Sequence, residues 1–296
     1  TGPSTSHTLG PWNAAQKFTQ SLQVPKVVTI IVDLYGSLSK TGIGHGTDMA
    51  IMLGLSGFDV KTIDTYQIER YITNIKEGKK LKLANHKLVD FNPEDNIIFH
   101  TEMLPFHPNG IRFTAMYDDH SIHQETWYSI GGGFIVQENE SIEEERDINL
   151  FPFPIEKSAD IFNHKKSSGL RFSEIVFQNE HSIRSEQEIE QGISDLWNCM
   201  LESMYKGCHT FGVLPGGLDV ERRAAKLNRE LIKNNIYTNI IEWVHAIKKS
   251  EFSFTSILKW VSCFALAVNE ENAAFSRIVT APTNGAAGVI PAVLMY

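Results

Sequence analysis

The hydrophobic pattern of this chain changes its period at an acidic run, and this change constrains the fold more than any other feature. From residue 81 to residue 136 the pattern shifts towards alternation of apolar and polar residues, the spacing of half-buried strands. From residue 183 to residue 269 apolar residues recur at spacings of three and four, which is the period of an amphipathic helix. The run between them, Glu138 to Asn149, is most simply a solvated linker.

The sequence therefore predicts an α+β fold with two domains. We expect an N-terminal α+β domain with a mainly antiparallel sheet, followed by a mainly α-helical domain. The predicted boundaries are 1–145 for the first domain, 146–156 for the linker and 157–296 for the second domain. Before the sheet region, the pattern predicts a helix through Trp12 to Leu22, a buried strand over Val27 to Val32, and helices over Met49 to Leu55 and Tyr66 to Lys76.

Charge and composition exclude several classes of protein. The 296 residues carry 27 Lys and Arg against 35 Asp and Glu, a net charge of −8, which does not favour binding to nucleic acid. No apolar run approaches the roughly 18 residues of a membrane helix, so we expect no membrane association and a cytoplasmic protein. The three cysteines, Cys199, Cys208 and Cys263, form no CxxC pair and are expected to be free thiols in a reducing compartment.

Two polar segments could carry chemistry. Gly2 to Thr8 places four hydroxyls and His7 directly before a predicted helix, and such a turn suits a carboxylate or phosphate, although a simple N-cap with surplus hydroxyls explains it equally. His45 lies between Gly44 and Gly46 at a strand-to-helix turn, where an imidazole can act as a general base near neutral pH. A loop histidine without a catalytic role remains the alternative.

The other glycine-containing segments, 107–110, 129–133, 214–218 and 280–288, indicate turns on their own. None has the spacing of a Walker A loop or a GxGxxG dinucleotide motif.

Taken in order, however, the polar and glycine segments resemble those of the iron–sulfur-dependent bacterial L-serine dehydratases, also called L-serine ammonia-lyases. Gly2–Pro11 is similar to that family's Gly-Pro-Ser-Ser-Ser-His-Thr-x-Gly-Pro opening, Thr41–Asp48 to Thr-Gly-x-Gly-His-x-Thr-Asp, and His107–Phe113 to His-Pro-Asn-Gly-x-x-Phe. Tyr128–Phe134, Leu214–Leu218 with Arg222–Ala224, and Ala281–Val293 resemble the remaining signatures in the same order, so the resemblance covers essentially the whole chain.

The resemblance implies an enzyme that eliminates water from L-serine to give pyruvate and ammonia. It also implies a four-iron four-sulfur cluster in the helical domain as the Lewis acid, an active site between the domains, and a possible homodimer. Residue by residue, it makes His45 the base that removes the α-proton. It assigns substrate binding to Ser4, Ser6, His7, Thr8 and Ser129, together with Thr283, Asn284, Gly285 and Ala286.

The chain also departs from the family pattern. The family's cluster cysteines are expected C-terminal to the Pro-Thr-Asn-Gly stretch, beyond Tyr296, so we expect no cluster ligands and no turnover from this stretch alone. Ala287 stands where many members have cysteine, and Thr5 where serine is commoner. The absence of an initiator Met and the apolar end at residues 289–296 are consistent with a fragment.

Two other functions stay open at this point. The first is a non-catalytic module that binds a small carboxylate for regulation or assembly, since some members of the family are split into two polypeptides. The second is a pyridoxal-phosphate lyase, for which Lys40 is the tempting Schiff-base residue, although it is more simply a surface lysine before the glycine turn.

Overall fold

A central strand organises the first part of the fold. The computed structural model describes residues 4–140, 151–215, 219–233, 235–250, 253–280 and 284–295. Strand β1 (Val27–Leu34) is rich in β-branched residues, and the side chains of Val27, Ile30, Val32 and Leu34 are fully buried. Such residues suit a strand that is covered by other elements, which explains its position inside the sheet.

The sheet is mainly antiparallel, as the sequence predicts. Its strands follow the order β2-β3-β1-β5-β6-β7, with β4 also pairing with β1. The outer strands are β2 (Lys80–Leu83), β3 (Lys87–Asp90), β4 (Ile97–Phe99), β5 (Gly110–Tyr117), β6 (Ile122–Gly131) and β7 (Phe134–Gln137). Strands β5, β6 and β7 form an antiparallel meander from β1 outwards. Strands β3 and β4 differ from the prediction, because both pair with β1 in parallel.

Short helices connect and cover these strands. They are α1 (Gly10–Ser21), α2 (Gly36–Thr41), α3 (Thr47–Leu55), α4 (Ile68–Gly78) and α5 (Pro93–Asn96). Helix α1 buries Trp12, Ala15 and Phe18, the stripe predicted from their spacing, and the Phe18 ring stacks on Phe113 of β5 at 5.0 Å. Helix α3 approaches α1 closely at Gly54, where a Cβ would lie 2.5 Å from the Trp12 carbonyl oxygen. This contact joins the end of α3 to the first half of α1, and the candidate site lies at the N-terminal ends of the two helices.

The later part of the chain is helical, which confirms the predicted fold class. The helices are α6 (Ser158–Ser168), α7 (Phe172–His181), α8 (Glu186–Gly207), α9 (Ala224–Ile232), α10 (Ile240–Lys248), α11 (Phe254–Ala273) and α12 (Val289–Met295). Trp243, Trp260 and Phe264 are buried between α10 and α11, and the Trp243 indole donates to Asn228 Oδ1 at 3.0 Å. No helix in the described ranges is long and apolar enough to cross a membrane.

The chain divides into two compact units. One comprises residues 1–140 together with 199–296, and the other comprises residues 141–198. Within the described part of the second unit, Asn179 bonds both backbone groups of Phe153, donating to its oxygen at 2.7 Å and accepting from its nitrogen at 2.9 Å. The candidate site belongs entirely to the first unit.

Candidate active site

The first polar segment folds into a π-helical turn, Thr5–Leu9, immediately before α1. Ser4 precedes the turn with an extended backbone, and its Oγ accepts a hydrogen bond from the His7 backbone nitrogen at 3.3 Å. Ser4 is therefore an N-cap, one of the two roles that the sequence left open. The Oγ atoms of Ser4 and Ser6 are 3.3 Å apart, so two hydroxyls remain together at this helix start.

Both ring nitrogens of His7 are occupied. Nδ1 is hydrogen-bonded to Ser6 Oγ at 2.9 Å, and Nε2 is hydrogen-bonded to Ser37 Oγ at 2.9 Å. Burial lowers the pKa of His7, the neighbouring His45 lowers it further, and the hydrogen bond with Ser37 acts in the opposite direction. His7 is consequently held in a fixed orientation and favours its neutral form at neutral pH.

Ser37 was not anticipated from the sequence, and its place depends on a sharp turn after β1. Gly36 has a φ of +58°, and a Cβ there would lie 2.2 Å from the Pro108 carbonyl oxygen. The Ser37 nitrogen donates to that same oxygen at 2.8 Å. Only glycine fits this close approach, so the turn brings the Ser37 hydroxyl to His7. The sequence signal would have been Gly36, which comes two residues after the end of the strand.

The second polar segment carries His45 in a 3₁₀ turn, Ile43–His45, directly before α3. The turn ends at Gly46, which has a φ of +62°. A Cβ at Gly46 would lie 1.9 Å from Cζ of Phe275, so glycine is required both by the backbone conformation and by the contact. Phe275 follows α11, and it brings the helical part of the chain against the His45 turn.

Two threonine hydroxyls tie the histidine turns to each other. Thr8 Oγ1 donates to the His45 carbonyl oxygen at 2.9 Å, and Thr47 Oγ1 donates to the His7 carbonyl oxygen at 2.5 Å. The two imidazole centroids are 5.0 Å apart, with the rings tilted by 53°. These two hydrogen bonds therefore hold the His7 turn and the His45 turn next to each other.

The His45 ring differs from the His7 ring in the hydrogen bonds of its nitrogens. It makes no hydrogen bond to any residue that the structure describes, and the side chain is only half-buried. A partly exposed imidazole with open nitrogens can accept a proton from a bound molecule. Of the two histidines, His45 is therefore the one with the geometry of a base.

Ser129 joins the same site from β6. It is fully buried, and its Oγ donates to the Ser6 carbonyl oxygen at 2.7 Å. Its own carbonyl oxygen accepts from Asn109 Nδ2 at 3.1 Å. Gly10 of α1 approaches the same hydroxyl closely, since a Cβ at this glycine would lie 2.0 Å from Ser129 Oγ. The hydroxyl to which the family resemblance gives a role in substrate binding thus supports the backbone of the Ser6 turn in this structure.

Of the residues predicted from the helical domain, Asn284 lies against the end of α11. Asn284 is buried and donates from Nδ2 to Asn272 Oδ1 at 3.1 Å. Gly285 is exposed and Ala286 is half-buried, while Thr283 lies outside the described residues. The contact between Phe275 and Gly46 links this region to the His45 turn.

The residues present do not fit an iron–sulfur cluster. Within the described ranges, no three His, Cys, Asp or Glu side chains come together in a way that could hold a metal ion. The Sγ atoms of Cys208 and Cys263 are 3.8 Å apart, but both are buried, and burial together with the second thiol raises the pKa of Cys208 well above its ordinary value. Cluster ligation needs thiolates, which this environment disfavours. Ala287 is buried and offers only a methyl group.

Comparison with known families gives a match for each of two long segments of the chain. Residues 1–140 match the family described as serine dehydratase beta chain, and residues 167–296 match the family described as serine dehydratase alpha chain. The chain belongs to the bacterial L-serine dehydratase family.

Individual relatives align with this sequence over its whole length. It is 41% identical to L-serine dehydratase 2 of Escherichia coli strain K12, 40% identical to L-serine dehydratase of Haemophilus influenzae and 40% identical to L-serine dehydratase TdcG of Escherichia coli strain K12. Each similarity covers 100% of this chain and 63% of the relative. The chain therefore spans less than two thirds of the length of these relatives.

Proposed function

We propose that the protein to which this chain belongs is an L-serine ammonia-lyase, which converts L-serine to pyruvate and ammonia. The observation that carries the proposal is the pair of imidazole rings of His7 and His45, whose centroids are 5.0 Å apart. Both nitrogens of the His7 ring are hydrogen-bonded, whereas those of the His45 ring are open. The names of the relatives support serine as the substrate. We also propose a cytoplasmic location, which follows from the composition of the sequence, and a homodimer, which the family resemblance implies.

His45 is the base in this proposal. An open ring nitrogen removes the α-proton of L-serine, and the Cβ–O bond breaks. The departing hydroxide takes up the proton that His45 removed and leaves as water. The remaining 2-aminoacrylate tautomerises to an imine, which a second water hydrolyses to pyruvate and ammonia. General-base catalysis of this kind is efficient near neutral pH because the ordinary imidazole pKa is close to it.

The opening turn binds the substrate carboxylate. Ser4 and Ser6 present neighbouring hydroxyls at a helix start. Neutral His7 beside them adds no positive charge that would disfavour protonation of His45. The helix dipole of α1 also favours an anion here. Thr8 and Ser129 act as positioning residues, because their hydroxyls bond the backbones of His45 and Ser6.

The segment from Thr283 to Ala286 closes the site from the helical part in this proposal. Support comes from the family resemblance and from Phe275, which brings the end of α11 to the His45 turn. The resemblance also assigns activation of the leaving hydroxide to a four-iron four-sulfur cluster. Because the described residues do not fit a cluster, we derive no step through it.

The proposal is tested by product analysis with the complete protein. Purified anaerobically after reconstitution with iron and sulfide, it should release pyruvate and ammonia from L-serine in equal amounts. Serine binding by calorimetry without either product would contradict the lyase and support the non-catalytic carboxylate-binding module. A pyridoxal absorption band that borohydride reduction fixes to Lys40 would support the third function instead.

A further inference from the structure

A second cavity lies apart from the two histidine turns and shares none of their residues. It has a volume of about 490 Å³ and lies within the first unit, between the turn at Thr65–Gln67, the end of α8, the start of α10 and the segment after α11. Tyr66, Cys199, Lys206 and Arg277 are among the residues of its wall. The volume is that of a small-molecule site.

Arg277 is the least satisfied charged group of this wall. Its Nη2 donates to the Ile63 carbonyl oxygen at 2.6 Å, while its Nε is buried without a hydrogen-bond partner in the part of the chain that the structure describes. No carboxylate from the described residues lies within 4.0 Å of the guanidinium. Since a guanidinium carries five N–H donors, the protein leaves most of its binding capacity unused.

The other cation of the cavity is already neutralised. Lys206 Nζ donates to Ser276 Oγ at 2.7 Å, lies 3.2 Å from Glu271 Oε2, and is 4.2 Å from the centroid of the Tyr66 ring. The remaining charged group of the wall, Glu202, is exposed to solvent. The cavity therefore combines one uncompensated guanidinium with hydroxyl groups and an aromatic wall.

We infer that this cavity binds a small oxyanion, a carboxylate or a phosphate, through Arg277. Guanidinium groups bind such anions through parallel charge-assisted hydrogen bonds, which are stronger than bonds between neutral groups. The Lys206 ammonium and the hydroxyl of Ser276 contribute a polar wall beside the anion. The inference is independent of the proposed lyase activity, because the cavity contains none of the residues assigned to that reaction.

The test is calorimetric titration of the complete protein with inorganic phosphate and, separately, with malonate. At least one probe should bind, and Arg277→Gln should weaken that binding by about tenfold or more, as expected for loss of a hydrogen bond to a charged group. Arg229→Gln is the matched control, because Arg229 is exposed and lies outside the cavity wall. The arm that binds identifies the anion as a phosphate or a carboxylate.

A second readout avoids dependence on the folding of the variant. Cys199 lines the cavity, whereas Cys208 and Cys263 are buried, so iodoacetamide should modify Cys199 before these two cysteines in the unaltered protein, as peptide mass spectrometry would show. The bound probe should slow that modification. Absence of binding by both probes, equal binding by Arg277→Gln, or binding without protection of Cys199 would each overturn the inference. Neither probe is a substrate or product of the lyase, so a failure here is distinguishable from a failure of the proposed function.

Discussion

Two histidines of the same site have different chemical properties because their partners differ. Both nitrogens of His7 are bonded to serine hydroxyls, and burial lowers its pKa. The ring of His45 has no such bonds within the described ranges. The sequence could identify both residues as candidates, but it could not assign them different roles, since Ser37 reaches His7 through a turn thirty residues further along the chain.

The depressed pKa of His7 predicts a pH dependence of stability. The unfolded chain binds a proton near pH 6.5 and the folded chain only at lower pH, so protonation favours unfolding in that window. The free energy of unfolding should therefore fall as the pH is lowered through 6.5 towards the folded pKa of His7. Urea titrations should show a smaller fall for His7→Gln. Part of the fall should remain in the His7→Gln variant, because burial also lowers the pKa of His107.

Gly46 gives a prediction about backbone conformation. Gly46→Ala should destabilise the protein by at least about 1 kcal/mol, because the left-handed φ disfavours a Cβ and Phe275 occupies its place. Gly44→Ala is the matched control, since no atom lies within 4 Å of its Cβ position and its φ is not positive. Urea unfolding that ranks the two variants equally would contradict the role given to Gly46.

Helices and strands were predictable where their apolar faces are buried. The spacing of apolar residues predicts helices α1 and α11 correctly, because side chains such as Phe18 and Phe264 are buried in a core. Helix α6 was missed because it has no buried residue and so no apolar period. The parallel pairing of β3 and β4 with β1 was also missed, because it depends on how the intervening helices return the chain and not on the local pattern.

The buried face of α1 can be tested directly. Phe18→Ala should lower the free energy of unfolding by about 3–5 kcal/mol, because it removes a fully buried ring that stacks on Phe113. Lys17→Ala, at the exposed neighbouring position, should change it by less than about 0.5 kcal/mol. Similar midpoints for both variants in urea would show that α1 does not pack as described.

The complete first unit brings together segments that are distant in sequence, and this is where prediction from local patterns stops. Ser129 bonds the turn at Ser6 across 123 positions, and Phe275 reaches Gly46. Another long-range element is buried Glu271, which pairs with Arg222 at 2.6 Å and with Lys206 at 3.2 Å. The family motifs identified which segments belong together, while the contacts that join them follow only from the fold.

Glu271 should accordingly be important for stability. Glu271→Gln leaves two cations without their shared carboxylate, and breaking a buried pair in this way costs about 3–5 kcal/mol. Exposed Glu202→Gln is the control and should be nearly neutral. Thermal unfolding should show a clear loss for the first variant only. A Glu271→Gln variant as stable as the unaltered protein would contradict the structural role of this ion-pair cluster.

The most direct test of the proposed mechanism is turnover of L-serine by the complete protein carrying His45→Gln. The variant should still bind L-serine in calorimetry, because the carboxylate is assigned to the turn at Ser4 and Ser6, but pyruvate release should fall by a factor of about 10²–10⁴, the range for loss of a general base. His107→Gln, which alters a histidine outside the His7–His45 pair, should retain turnover. Undiminished pyruvate release by His45→Gln would contradict the assignment of His45 as the base.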